Sequence, residues 1–244
     1  MARHVQLNNI DHADLRIRTE RNAALGDGVM SCPVFPYEFR NLQPHYPIVF
    51  TKDATTGGFR PLALFGLEEG ENLFLTSDEG WDAAYIPLAM RMQPFLIGFS
   101  NDGGGGGRQM EVHIDLDHPR VSQTEGEPVF LAHGGHTPFL QEIAKLLGEV
   151  HAGEQSITGF SAMLDELELI EPFTLDITLN DGSQGRLAGY YIIAEESLYG
   201  LDAEALGRLQ AAGFLQPIYM AVAALSQFRA LIDRRNRRLA ETQA

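Results

Sequence analysis

Two side chains with metal-binding chemistry, His113 and Asp115, sit one residue apart where Met110, Val112, Ile114 and Leu116 alternate with Glu111, His113, Asp115 and Asp117. Period-two alternation predicts a β-strand, and a strand projects residues two apart from one face. An imidazole and a carboxylate placed this way are two of the three ligands of a non-haem iron centre of the 2-oxoglutarate oxygenase type, whose cofactors would be Fe(II) and 2-oxoglutarate. The third ligand would have to come from His133, His136 or His151. A cupin-type barrel, however, continues into further strands that carry its last histidine. Here two helical segments follow instead, and the remaining hairpin contains no histidine. A solvated polar strand face accounts for the same pattern, and the sequence favours no cofactor.

Other constellations are weaker. His133-Gly134-Gly135-His136 together with Asp117-His118 offers zinc ligands, but ordinary loop histidines have the same look. No Gly-x-Ser-x-Gly nucleophile elbow is present. Cys32, the single cysteine, is flanked by Met30, Pro33 and Val34, which suits a buried inert thiol. The run Gly103 to Gly107 lacks the Lys-Ser/Thr of a P-loop and reads as a surface turn. A ligand pocket is the remaining candidate: Trp81, Tyr85 and Arg91, with Asn72 near by, combine stacking surface, a planar cation and an amide suited to a carboxylate-bearing or aromatic ligand. Core packing around a lone tryptophan competes with that reading.

The elements that must position these residues centre on Glu71 to Ser100, the densest apolar and aromatic run. Asn72 to Leu75 reads as a strand, about Asp82 to Met92 as a helix ending at Pro94, and Phe95 to Phe99 as a strand. Pro87 predicts a kink or a late start in that helix. Upstream, Pro36 to Arg40 reads as a helical turn opened by its proline, and Tyr46 to Phe50 and Arg60 to Gly66 as two strands of a hairpin across Thr55-Thr56-Gly57-Gly58. Downstream, Thr137-Pro138 opens a helix expected to stop near Gly153, and a second helix carries Phe160, Met163, Leu164 and Leu167. Asn180-Asp181-Gly182-Ser183 joins the most secure hairpin, with Leu187 to Ile193 as a central strand. Asp202 caps a helix broken at Gly213, and a long closing helix carries Ile218, Val222, Leu225 and Ile232. The fold class expected is α+β: an antiparallel or mixed sheet with helices packed against it, in one compact domain over 1–244, strand-rich over about 46–117 and helix-rich with a hairpin over about 137–240.

A formal charge of −15 argues against nucleic acid or an anionic membrane as partner. No segment reaches the apolar length of a membrane span and the start of the chain has no signal-like run, so a soluble cytoplasmic protein is expected. The cluster Arg234-Arg235-Asn236-Arg237-Arg238 reads as cations complementing the dipole of a last helical turn. The expected partner is a protein or a small-molecule ligand, and assembly into a homo-oligomer is compatible with the sequence.

The ordered motifs Tyr46-Pro47-Ile48-Val49-Phe50, Leu64-Phe65-Gly66-Leu67, Glu71-Asn72-Leu73-Phe74, Gly80-Trp81-Asp82, Tyr85-Ile86-Pro87 and Gln93-Pro94-Phe95 resemble the bacterial SapC family. Gly126 to Phe130, Leu169 to Phe173, Gly189-Tyr190-Tyr191 and Gly213-Phe214-Leu215 through Tyr219 to Ser226 extend the resemblance over nearly the whole chain. That family is named for a surface-layer protein locus, and its members often lie near genes for TonB-dependent receptors, flavin-dependent tryptophan halogenase-like proteins and cupin-like oxygenases. The resemblance implies a soluble accessory protein of a surface-layer or uptake system. It brings no catalytic residues with it, and it is distinct from the peptide-transporter permease that shares the name.

Overall fold

A computed structural model describes residues 2–101 and 108–243, so the run Gly103 to Gly107 lies outside the described residues. The first strands are β1 (His4–Gln6), β2 (Arg16–Ile17), β3 (Ser31–Pro33), β4 (Ile48–Lys52) and β5 (Phe59–Leu64). They are followed by β6 (Phe95–Asn101), β7 (Arg108–Asp115), β8 (Val121–Ser122), β9 (Glu127–Pro128), β10 (Ile170–Thr178) and β11 (Gln184–Ile193). The helices are α1 (Phe39–Leu42), α2 (Leu88–Arg91), α3 (Pro138–Glu166), α4 (Glu195–Tyr199), α5 (Ala203–Ala211), α6 (Leu215–Ala224) and α7 (Gln227–Gln243). All strand pairs are antiparallel, which makes the protein α+β with antiparallel sheets.

The chain divides into two interleaved units. The first takes Met1–Gly28, Leu75–Trp81 and Leu88–Ala152, and the second takes Val29–Phe74, Asp82–Pro87 and Gly153–Ala244. In the first unit one sheet has the order β1-β7-β6 and another the order β8-β2-β9. Its core is Leu15, Ile17, Phe95, Ile114, Val129 and Phe130 with Leu140, Ile143 and Leu147 from α3. A buried ion pair completes it: Asp27 is fully buried and Arg120 is 1% exposed. Arg120 donates through Nη2 to Asp27 and through Nη1 to the carbonyls of Arg18 and Glu20, while Arg21 donates to the other Asp27 oxygen at 3.1 Å.

The second unit holds the sheet β10-β11-β4-β5-β3, and β11 is interior as its apolar sequence predicts. The β4–β5 and β10–β11 hairpins follow the turn chemistry of their connections, although a register shift between Phe173 and Leu175 breaks the regularity of the second. Rings from three helices meet below this sheet: Phe160 of α3 lies edge-on to Phe39 of α1 at 6.1 Å and to Phe214, just before α6, at 5.2 Å. Each ring is locked by the next, so α1 and α6 take their places from α3.

Several expectations are corrected. The segment 82–92 is not a helix: only Leu88–Arg91 is helical, because the Pro87 ring disfavours helical backbone at Ile86 and clashes with the carbonyl one turn back, so a helix begun at Asp82 cannot run through it. Asn72 to Leu75 is turn rather than strand, with a single bridge from Leu75 to Trp81. In place of the two helices expected after Thr137, α3 runs unbroken for 29 residues through Gly153. Gly153 is there for space and not as a stop, since a Cβ at that position would lie 2.4 Å from the Phe35 ring. The long C-terminal helix is present as expected, with a turn at Leu225 and Ser226 marking off α6 from α7. The arginine cluster is not at a last turn but inside α7, where its side chains hold the 68–82 loop. Arg234 donates to Asp82 at 2.6 Å and lies 4.3 Å from the Phe74 ring centre, Arg235 pairs with Glu71 and Glu68, and Arg238 donates to the Asn72 carbonyl at 3.0 Å. No single described helix is long and apolar enough to cross a membrane.

Two stability predictions follow from these packings. Asp27→Asn leaves Arg120 charged and buried without its counter-ion, and urea denaturation is expected to show a loss of about 3–5 kcal/mol. Glu142→Gln, which breaks an exposed pair with Lys145, should cost under about 1 kcal/mol. Glycine to alanine inside a helix ordinarily stabilises by about 0.5–1 kcal/mol. Gly148→Ala should do so, because nothing lies within 4 Å of its added Cβ. Gly153→Ala should reverse the sign and cost about 1–3 kcal/mol, since Phe35 is 1% exposed and its ring has nowhere to retreat. Matched thermal melts of the two variants check the contrast.

Candidate functional site

One cleft in the second unit is built by two short stretches with opposite inward and outward demands. Pro36 fixes the backbone at the start of a 3₁₀ turn over Pro36–Glu38, which continues into α1. Phe35, Glu38, Phe39 and Leu42 all turn inward and are buried. Glu38 is a carboxylate with no solvent exposure; it accepts the Phe35 N–H at 3.0 Å and the Tyr85 hydroxyl at 2.9 Å. With these positions committed inward, Tyr37 and Arg40 are left facing out. The opposite wall begins at Gly213, whose φ of +76° turns the chain out of α5, and continues through Phe214 into α6.

Between the walls lies a cleft of about 290 Å³ lined by Tyr37, Arg40, Phe214, Pro217 and Met220, with Ser156 of α3. Phe214 precedes α6 without a side-chain hydrogen bond capping that helix, so the positive end of its dipole opens here. Arg40 is the charged residue of the lining, and among the described residues none forms a hydrogen bond or an ion pair with its guanidinium. The walls are aromatic, thioether and proline surface. Such a lining suits an apolar group that carries an anion.

The residues singled out from sequence are placed as follows. His113 and Asp115 lie on β7, opposite Gln6 and His4 of β1. The His113 ring covers Gly98 and comes within 3.9 Å of Glu111. Asp115 Oδ1 accepts the N–H groups of Arg3 at 2.8 Å and Asp117 at 3.1 Å. Partial burial works to raise its carboxyl, but those N–H groups prevail and hold it below the usual carboxylate value. His133 is exposed in the turn after Leu131; His136 is also exposed, its ring centre 5.9 Å from that of Phe130. His151 packs against Phe99 at 5.4 Å. Among the described residues, no group of three or more His, Cys, Asp or Glu side chains is placed to hold a metal ion.

Of the proposed ligand-pocket residues, Asn72 and Tyr85 belong to the second unit, and Trp81 and Arg91 to the first. Asn72 is buried, and its side-chain oxygen accepts the Phe74 N–H at 3.0 Å. Tyr85 spends its hydroxyl on Glu38, and its carbonyl accepts the Tyr46 hydroxyl at 2.6 Å. Trp81 is half-buried beside its bridge partner Leu75, and Arg91 is exposed on α2. Cys32 is buried on β3, where burial and then Glu38 push its thiol well up, as befits an inert sulfur. Sequence reasoning missed Tyr37, Arg40, Phe214, Pro217 and Met220 as a site. The readable signal was an arginine two residues past a buried glutamate in a proline-opened turn, but its facing wall lies more than 170 residues downstream.

The fold is α+β with antiparallel sheets, and its second unit carries a cleft with one cation in its lining. The family model for SapC matches residues 7–231, and the chain belongs to the SapC family. No curated protein and no solved structure matches it.

The site analysis generates a prediction about pH. Burial, reinforced by Arg120, lowers the pKa of His118, whose Nδ1 accepts the Arg120 N–H at 3.2 Å; burial and Arg234 likewise lower that of His45. Each folded-state value is therefore below its unfolded value of about 6.5. The unfolded chain binds more protons in that window, so stability is complete above about pH 6.5 and is lost as the pH falls below it. A His45→Asn/His118→Asn double variant should show a flatter stability profile between about pH 6.5 and pH 5 than the parent in urea titrations.

Proposed function

We propose that the chain is a non-enzymatic accessory protein of a bacterial surface-layer or TonB-dependent uptake system, acting in the cytoplasm by holding a partner and not by transforming a substrate. The setting is the one implied by SapC membership. The observation that carries the binding role is the cleft between the 36–40 turn and α6, with its unpaired Arg40 and its aromatic and methionine walls. Aromatic residues, methionine and arginine are the types that concentrate binding energy at protein interfaces. Tyr37 is 48% exposed, with its ring stacked on that of Phe35 at 5.9 Å.

Crosslinking and co-purification from the native host tests this. The parent chain is expected to retain a discrete protein that mass spectrometry identifies and that rebinds when purified. Tyr37→Ala should lose it by about tenfold or more with an unchanged melting temperature. Retention by both forms alike, or by neither, overturns the role assigned to the cleft.

A further inference from the structure

We infer that the cleft recognises the C-terminus of a polypeptide partner, taking the last residue's apolar side chain against Tyr37, Phe214, Pro217 and Met220 and its α-carboxylate on Arg40. This rests on the binding role proposed above and names the chemistry of the occupant. Three observations lead to it.

The first is charge. The protein carries 33 acidic against 18 basic side chains, so its general field repels anions. Several cations of the second unit are held in ion pairs: Arg60 grips both oxygens of Glu154 at 2.8 Å, Arg208 holds Glu166 at 2.7 Å, and Arg234 and Arg235 hold Asp82, Glu68 and Glu71. Arg40 is left with its fork open, and a planar guanidinium matches one carboxylate through two parallel hydrogen bonds. A broadly acidic partner would be repelled by the field, whereas a single carboxylate on a neutral or basic chain is attracted at this one point.

The second is size. At about 290 Å³ the cleft is at the small end of the range of ligand pockets. One large side chain with its adjoining carboxylate fits such a space, and the rest of a longer chain continues into solvent. The third is proximity. Arg40 is one helical turn from Tyr37, so cation and apolar wall sit within a single residue's reach of each other. An α-carboxylate and a side chain on the same Cα present their charge and apolar surface at that spacing, and binding carboxylate termini is an established mode of peptide recognition.

The test uses the full chain, labelled for NMR, with four probes. These are the peptide acetyl-Gly-Ser-Gly-Phe as free acid, the same peptide as C-terminal amide, acetyl-phenylalanine, and no peptide over a protein dilution series. The free-acid peptide is expected to shift the amides of Tyr37, Gly213, Phe214 and Gln216 and the Arg40 side chain. The amide should bind about tenfold or more weakly, and Arg40→Gln should erase that difference while leaving the melting temperature unchanged. Equal binding of acid and amide, shifts that map elsewhere, or no binding overturns the inference. Acetyl-phenylalanine binding as tightly as the peptide overturns it in favour of a free small acid, and concentration-dependent shifts at the same residues without peptide overturn it in favour of a second copy of the chain. If the peptides fail while the host partner still depends on Tyr37, only the C-terminal assignment falls; if partner retention ignores Tyr37, the wider binding role falls as well.

Discussion

A carboxylate shut away from water is costly unless its oxygens are fully engaged, and the second unit is arranged around one such group, Glu38. One oxygen takes the Phe35 N–H that would otherwise be orphaned at the start of the turn, and the other takes the Tyr85 hydroxyl. Tyr85 reaches it because its own carbonyl is held by Tyr46, a fully buried ring packed against Phe65 and Phe74. The turn is thus pinned from inside by a chain of hydrogen bonds ending in the aromatic core. With Glu38 fixed inward, the helical advance of the backbone leaves Tyr37 and Arg40 no direction but outward. The cleft is a consequence of where a buried charge had to find its partners.

The first unit solves the same problem with opposite charges. Asp27 is engaged by Arg120, Arg21 and the Asn22 N–H, so its desolvation is offset by three donors. Arg120 also ties the carbonyls of Arg18 and Glu20, which are some hundred residues away in sequence and have no ladder partner there. A guanidinium can do this because its donors diverge in a plane; a lysine ammonium, a compact point charge, could not bridge three acceptors in that geometry. Sixteen of the eighteen basic residues are arginine, and the α7 cluster uses the same property on the 68–82 loop. In both units, then, arginine forks tie non-regular backbone that no strand ladder holds.

That construction explains what could be read from the sequence. The β4–β5 and β10–β11 hairpins and the Asp202 cap were legible because their cause is local: turn residues between alternating strands, and an acceptor three residues before Ala205. The segment 72–92 was misread because its restraints come from Arg234, Arg235 and Arg238, which no local pattern reveals, and because Pro87 delays the helix. Gly153 looked like a helix stop since glycine usually weakens a helix; only the Phe35 ring above it shows that the missing Cβ is the point. The cleft escaped for a related reason. Its two walls are joined through Phe160, and the Phe39, Phe160 and Phe214 contacts that set their spacing are tertiary.

In the binding role proposed above, it is the placement of charge that would give the cleft selectivity. Exposed ion pairs contribute little to stability, so the value of the pairs at Arg60, Arg208 and Arg234 lies as much in occupying those cations as in binding energy. With those cations occupied, Arg40 is the one charged group that an incoming anion meets in the lining of the cleft. Screening at physiological salt confines that attraction to about 8 Å. Within this distance the cleft also presents the aromatic and methionine surface of Tyr37, Phe214 and Met220, which rewards an apolar group next to the anion. Strong charge alone would be pushed off by the acidic field, and apolar surface alone would leave the guanidinium to water. The pairing of the two on one ligand is what this geometry distinguishes.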